Sequence, residues 1–185
     1  MRTLDIRLIS PENIKPDPDE AETAEYDDEL DDVRSILRDI CSSLQQVDGV
    51  VFKIMAGSPI PVSVRRDLCI VMEQLADVLQ GLRKRVKTSL DLYEQGIEEC
   101  LVFNTKSDRE VLVERRPLVG SSEIPATPLC VQHGMLLDML SELATRFLAC
   151  ARVRCPVRTQ HPWFTSWATQ LEDELAIKSE AGESH

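Results

Sequence analysis

The sequence from Leu30 to Ile54, LDDVRSILRDICSSLQQVDGVVFKI, has the most regular apolar spacing in the chain. Its apolar positions are separated by alternating steps of three and four, which is the a/d pattern of a coiled-coil seam. They are Leu30, Val33, Leu37, Ile40, Leu44, Val47, Val51 and Ile54. Gly49 is expected to weaken a helix here without ending it, whereas Gly57-Ser58-Pro59 is a typical helix end. The spacing therefore predicts one long helix from about residue 28 to residue 56.

A second long helix is predicted after the short connection at residues 57–62. Ser63 suits the N-cap position, and the apolar positions that follow keep a helical spacing as far as Ile97. A connection this short places two helices side by side and antiparallel. Each seam would then bury the other, although the first seam could also serve a second copy of the chain. A homodimer through the first helix is therefore an alternative.

Two shorter helices are predicted in the C-terminal third. Thr127-Pro128 has the residues of an N-cap and first helical position, and Pro156 would end this helix. A last helix is expected from Pro162, followed by a polar tail. Together with the two long helices, these segments predict a mainly α fold that resembles a four-helix bundle.

Three segments have the pattern of strands. The runs at 100–104 and 110–115 are rich in β-formers and flank a polar turn, so they predict a β-hairpin. Residues 3–9 alternate between apolar and polar residues, and they could add to the hairpin as the third strand of a small sheet.

Negative charge is concentrated in one segment. The chain of 185 residues has a formal charge of −11, and residues 17–32 contain ten carboxylates and no base. The other 169 residues hold 21 Lys and Arg against 22 Asp and Glu, so they are nearly neutral. The run could simply lead into a helix whose dipole favours negative charge, or it could dock onto a basic partner. A divalent-cation site is a third interpretation, but the run lacks the glycine and the terminal glutamate of an EF-hand loop. The predicted partner-binding residues are Asp27, Asp28, Glu29, Asp31 and Asp32.

The prolines and the charge divide the chain into three parts. Pro11, Pro16 and Pro18 interrupt regular structure. Residues 1–28 are therefore predicted to be a short strand and a mobile acidic connector. Residues 29–178 would form a single helical domain and residues 179–185 a frayed tail.

One basic cluster suggests an alternative role with nucleic acid. The cluster consists of Arg83, Lys84, Arg85 and Lys87, which lie close together in the sequence. Contacts to phosphate groups require several basic side chains that converge. Acidic residues flank the cluster, and the chain has only two Trp, two Tyr and four Phe on which bases could stack. Nucleic acid is therefore a less favoured partner.

The cysteines raise the question of a metal site. Cys130 and His133, together with Cys150 and Cys155, could supply four zinc ligands. However, His133 and Cys150 fall on the same predicted helix, where they would be about 25 Å apart. The six cysteines are more simply interpreted as reduced thiols, most of them buried, and no cofactor is predicted.

No catalytic motif stands out. The sequence has no Gly-x-Ser-x-Gly turn and no glycine-rich phosphate loop. We therefore predict a non-catalytic protein–protein interaction module that binds a basic partner, either an acidic inhibitor of the immunity or antitoxin type or an adaptor. A coiled-coil-like assembly subunit and a nucleic-acid-associated regulator are the alternatives. The N-terminus lacks the apolar core of a signal peptide and no membrane span is evident, so a cytoplasmic location is expected.

Overall fold

The protein combines helices with two sheets. The computed structural model describes residues 3–20, 26–93, 98–118 and 127–180. Within these ranges the chain forms four α-helices and seven strands, and the strands lie in two antiparallel sheets. The prediction of a mainly α, four-helix-bundle fold is therefore wrong, and the fold is mixed α/β.

The secondary structure has the following bounds. The strands are β1 Leu4–Ile9, β2 Val51–Ala56, β3 Ser58–Ile60, β4 Thr88–Leu92, β5 Glu99–Thr105, β6 Glu110–Pro117 and β7 Leu129–Gln132. The helices are α1 Val33–Gln45, α2 Cys69–Arg83, α3 His133–Arg154 and α4 Pro162–Glu180. A π-helix, Val64–Leu68, precedes α2 and a 3₁₀ turn, Arg158–Gln160, precedes α4.

The strand predicted at residues 3–9 is confirmed, but its partner differs from the prediction. The first sheet has the order β1-β2-β3, and Leu4 lies opposite Ala56 while Ile9 lies opposite Val51. The predicted hairpin is also confirmed as β5 and β6, with Thr105 opposite Val111. It belongs to a second sheet of order β4-β5-β6-β7, so β1 does not extend it.

The long first helix is wrong because its second half forms a strand. Gly49 has a φ of 85°, a left-handed conformation that does not continue a helix. After it, β2 alternates between outward and inward side chains, with Phe52, Ile54 and Ala56 buried. Val47, Val51 and Ile54 have heptad spacing only because a helical period and a strand period coincide at these positions. At the N-terminal end of the predicted seam, Leu30 is 85% exposed.

The second long helix ends at Arg83 for a similar reason. Arg85 has a φ of 55°, and the next segment alternates so that Leu90 and Leu92 are buried in β4. A Cβ atom on Gly81 would lie 2.9 Å from the Cβ of Thr88, so glycine allows β4 to pass close to α2. Ile97, the last residue of the predicted helix, lies outside the described residues.

The helix-start signals gave mixed results. Ser63 is confirmed as an N-cap, since its side chain accepts the N–H of Arg66, and the start of α4 at Pro162 is confirmed. The start at Thr127-Pro128 is wrong, because Leu129–Gln132 pairs with β6 as a fourth strand and α3 begins only at His133. Residues 129–132 form a strand because the edge of β6 supplies backbone hydrogen-bond partners, which the local sequence does not reveal.

A single hydrophobic core joins the helices to both sheets. Helix α3 contacts β1 in one sheet and β7 in the other. The apolar face of α1, which was predicted to form a long seam, is buried inside the chain at Leu37, Ile40 and Leu44. In the part of the chain that the structure describes, no helix is both long and apolar enough to cross a membrane.

Candidate functional site

A groove runs between the N-terminal segment and the exposed face of α3. It consists of two adjoining cavities of about 740 and 690 Å³, which share Asp138, Glu142 and Arg146. Residues 5–9 line one cavity, and residues 10–12, Ile14 and Leu175 of α4 line the other. We call this depression the α3 groove. Its volume is in the range of ligand-binding clefts.

The edge of β1 faces the α3 groove through its backbone. The N–H of Gly57 donates to the carbonyl of Thr3 at 3.1 Å, whereas the N–H of Ile6 is directed at Sδ of Met139, also at 3.1 Å. Successive residues of an antiparallel strand direct their backbone groups to opposite sides, so those of Ile6 and Leu8 point away from β2. Leu8 lines the groove, but it is only 2% exposed, so α3 covers most of this edge of β1.

The groove has an apolar surface bordered by carboxylates. The apolar lining of the larger cavity consists of Pro11, Ile14, Ala149, Cys150, Val153 and Leu175. Four carboxylates and two arginines line the two cavities: Asp5, Glu12, Asp138, Glu142, Arg7 and Arg146. Both arginines are already paired, Arg7 with Asp5 at 3.0 Å and Arg146 with Glu142 at 3.2 Å. The groove therefore has an excess of negative charge.

Ser141 places a buried hydroxyl in the lining of the α3 groove. Its side chain lines the cavity, the residue is only 7% exposed, and its Oγ is buried without a hydrogen-bond partner. Its backbone carbonyl is satisfied by the hydroxyl of Thr145 at 2.9 Å. A buried polar group without a partner is unfavourable by about 1–3 kcal/mol. An occupant that bonds this hydroxyl would remove that cost.

A buried ionic cluster attaches the N-terminal wall of the groove to α3. The guanidinium of Arg154 donates to Ser43 Oγ at 2.7 Å and to the carbonyls of Lys15 and Pro16. The same Arg154 pairs with Asp17, which also accepts a hydrogen bond from Ser43. These contacts position residues 15–17 against the domain, although the division of the chain at residue 28 stays a prediction.

The charge of Asp17 is favoured by this arrangement. Burial alone would raise the pKa of the carboxyl, but the Ser43 hydroxyl, the backbone N–H of Asp19 and the nearby Arg154 together hold that pKa below its ordinary value of 3.8. Glu20 is 4% exposed and accepts the backbone N–H of Arg158 at 2.8 Å. Two of the ten carboxylates in the acidic run therefore serve the fold, while Glu22 and Glu25 lie outside the described residues.

The five predicted partner-binding carboxylates form a turn before α1. Asp31 accepts the N–H of Asp27 at 3.0 Å and the hydroxyl of Ser35 at 2.7 Å, and these bonds hold its pKa below the ordinary value. Asp32 caps the helix through the N–H of Arg34 at 2.8 Å. The cap supports the helix lead-in interpretation. Docking by Asp27, Asp28 and Glu29 stays a prediction.

The structure divides the predicted basic cluster. Arg83 pairs with Glu174 of α4 and is largely buried. Arg85 donates to the carbonyl of Asp108 at 2.7 Å in the β5–β6 turn. Lys84 and Lys87 are exposed. Two of the four basic side chains, Arg83 and Arg85, are therefore bound within the chain. The cluster gives little support to a phosphate-binding surface.

The four residues of the weak zinc hypothesis are not brought together. Cys130 is in β7, His133 and Cys150 are near opposite ends of α3, and Cys155 follows that helix. His133 Nε2 is instead 2.9 Å from the carbonyl of Leu82. In residues 3–20, 26–93, 98–118 and 127–180, no group of three or more His, Cys, Asp or Glu side chains could hold a metal ion.

Sequence reasoning missed the α3 groove because its two walls are more than a hundred residues apart. One local signal was present. Asp138, Glu142, Thr145 and Arg146 recur at helical spacing, which marks a polar face on a helix whose other face is rich in leucine. Nothing local showed that β1 would lie beside that face.

Comparison with protein-family models, curated proteins and solved structures finds no match to this chain. Its function is therefore argued from the geometry and charge described above.

Proposed function

We propose that the protein is a non-catalytic protein-binding module that takes a basic, extended segment of a partner into the α3 groove. The observation that carries the proposal is the groove between β1 and α3, whose apolar lining is bordered by carboxylates. An extended segment that lies along this groove would place its side chains against the apolar lining. The negative charge of the groove selects basic residues at the borders.

The unpartnered hydroxyl of Ser141 supports an occupant with polar groups of its own. A peptide backbone supplies both donors and acceptors, so it fits a groove that combines a strand edge, a hydroxyl and an apolar surface. An inhibitor and an adaptor could each bind a partner through such a site. The cytoplasmic location stays a prediction, and the free thiols of all six cysteines support it.

A displayed peptide library tests the proposal directly. Peptides would be selected against the wild-type protein and counter-selected against Ala149→Trp, which fills the groove at an exposed position. We expect the enriched peptides to be basic and to lose binding in the Ala149→Trp variant. Enrichment only of acidic peptides, or of peptides that bind the variant equally well, would overturn the proposal.

Charge reversal then tests the rim. Glu12 is exposed and lines the groove, so Glu12→Lys is expected to raise the Kd of a selected peptide by about tenfold at low salt. Asp77→Lys is the matched control, because Asp77 is exposed on α2 outside the groove. Equal effects of the two variants would show that net charge, and not the groove, drives binding.

A further inference from the structure

A second cavity lies between α1 and the π-helix, away from the α3 groove. Its volume is about 500 Å³, and it is lined by Arg38, Gln45, Ser63, Arg65, Arg66 and Cys69. Arg38 and Gln45 are seven positions apart on α1, which places them two turns apart on one face of that helix. We call this cavity the arginine pocket.

The three arginines of this pocket lie outside the close ion pairs of the fold, although the charge of Arg38 acts on Asp31 and Glu73. None of them forms an ion pair or a side-chain hydrogen bond within the described part of the chain, although ten other arginines pair with carboxylates there. The chain as a whole has an excess of eleven negative charges. Three unpaired guanidinium groups at one cavity are therefore unexpected from composition alone, and they create a local positive field.

Hydrogen bonds between Ser63 and Asp67 fix the turn that carries Arg65 and Arg66. Ser63 caps the π-helix, and its own N–H and hydroxyl are bound by Asp67 at 2.6 and 2.9 Å. Asp67 is 2% exposed, so it braces the turn from behind without lining the cavity.

The thiol of Cys69 belongs to the same pocket. It lines the pocket, is 5% exposed, and lies 2.9 Å from the carbonyl of Arg66. A hydrogen bond from Cys41 lowers the pKa of this thiol, against the effects of burial and of the Glu73 charge, and the charge of Arg38 also lowers it.

We propose that the arginine pocket binds the phosphate group of a small phosphomonoester. Guanidinium groups bind phosphate oxygens through paired hydrogen bonds. A monoester offers three terminal oxygens and nearly two negative charges, whereas a phosphodiester offers two free oxygens and one charge. Three arginines match the monoester better. This site is distinct from the α3 groove, so it extends the proposed function and does not depend on it.

Calorimetric titration of the full chain tests the proposal with three probes: inorganic phosphate, glycerol 3-phosphate and dimethyl phosphate. We expect the first two to bind with a Kd of about 1 mM or tighter and the diester to bind at least about tenfold more weakly. Binding should weaken as salt is added. No heat of binding at 10 mM phosphate, or equal binding of the diester or of an oligonucleotide, would overturn the proposal.

Single substitutions locate the site. Arg38→Ala, Arg65→Ala and Arg66→Ala remove exposed side chains, so the fold should persist while each raises the Kd at least about fivefold. Arg66→Lys keeps the charge but loses the paired geometry, and we expect an intermediate loss. Lys53→Ala and Lys84→Ala remove one exposed charge elsewhere and should leave the Kd unchanged.

Amide chemical shifts give a second readout. On adding glycerol 3-phosphate, we expect the largest changes at residues 63–69 and at Arg38. Changes spread over the surface, or loss of affinity in Lys84→Ala equal to that in Arg66→Ala, would show non-specific ion binding and would refute the assignment.

Discussion

The guanidinium of Arg154 lies 3.6 Å from the carboxylate of Asp17, and both side chains are about nine-tenths buried. This ion pair joins the end of α3 to the segment that forms the N-terminal wall of the α3 groove. Because Arg154 also binds the carbonyls of Lys15 and Pro16, a single side chain holds three consecutive residues. Arg154 therefore anchors to α3 the residues that directly follow the N-terminal wall of the groove.

Arg154→Ala is expected to lower the free energy of unfolding by about 3 kcal/mol, since it leaves Asp17 buried without its cation. Arg152→Ala is the matched control on the same helix, because Arg152 and Glu172 form an exposed pair that contributes at most about 1 kcal/mol. Urea denaturation measures both. Equal losses in the two variants would contradict the structural role of Arg154.

Stability is expected to fall in acid in a way that depends on Asp17. The folded protein holds the pKa of this carboxyl below the ordinary value of 3.8, so the unfolded state takes up its proton first. The resulting stabilisation is complete above that value and is lost as the pH falls below it. The urea midpoint of Asp17→Asn should approach that of the wild type between about pH 5 and pH 2. A constant difference across this range would show that Asp17 does not titrate as described.

Leu30 and Leu37 occupy equivalent positions in the predicted seam but have opposite environments. Leu30 is 85% exposed, whereas Leu37 is fully buried. Leu30→Ala should change the free energy of unfolding by less than about 0.5 kcal/mol, and Leu37→Ala should lower it by about 2–5 kcal/mol. Comparable losses in thermal or urea unfolding would favour the long helix of the sequence prediction.

One thiol is expected to react quickly with Ellman's reagent in the native protein. Cys130 is exposed, while Cys41, Cys69, Cys100, Cys150 and Cys155 are buried. A buried thiol reacts only after local opening. We expect one equivalent of fast reaction, which Cys130→Ser abolishes, and six equivalents after denaturation. A second fast thiol that remains in Cys130→Ser would contradict the packing around the other five.

Local signals predicted parts of the fold correctly. The alternation at residues 3–9, the polar turn between β5 and β6, the cap at Ser63 and the start at Pro162 are all decided within a few residues. The predictions for the segments around Val51 and Leu90 were wrong because the apolar residues there fit both a helical period and a strand period. Their state is decided by partners far along the chain, since β2 pairs with β1 and β4 pairs with β5.

The candidate sites were harder to predict than the fold. The acidic run is a single feature in the sequence, but the distant Arg154 and the Arg158 backbone bind two of its members, Asp17 and Glu20. The arginine pocket combines Arg38 with Arg65 and Arg66, which neither charge counting nor motif spacing connects. In both cases the tertiary fold determines which charges are neutralised and which are left for a ligand.

The order in which the chain is synthesised gives the edge of β1 a further consequence. The first sheet is complete once Ile60 has been made, but α3, which covers part of that edge, begins only at His133. At about 5–20 residues per second, the interval on the ribosome is roughly 4–15 s. During that time the outer backbone of Leu4, Ile6 and Leu8 has no helix beside it. The nascent chain is therefore most open to unwanted strand pairing at the same edge that later forms the α3 groove.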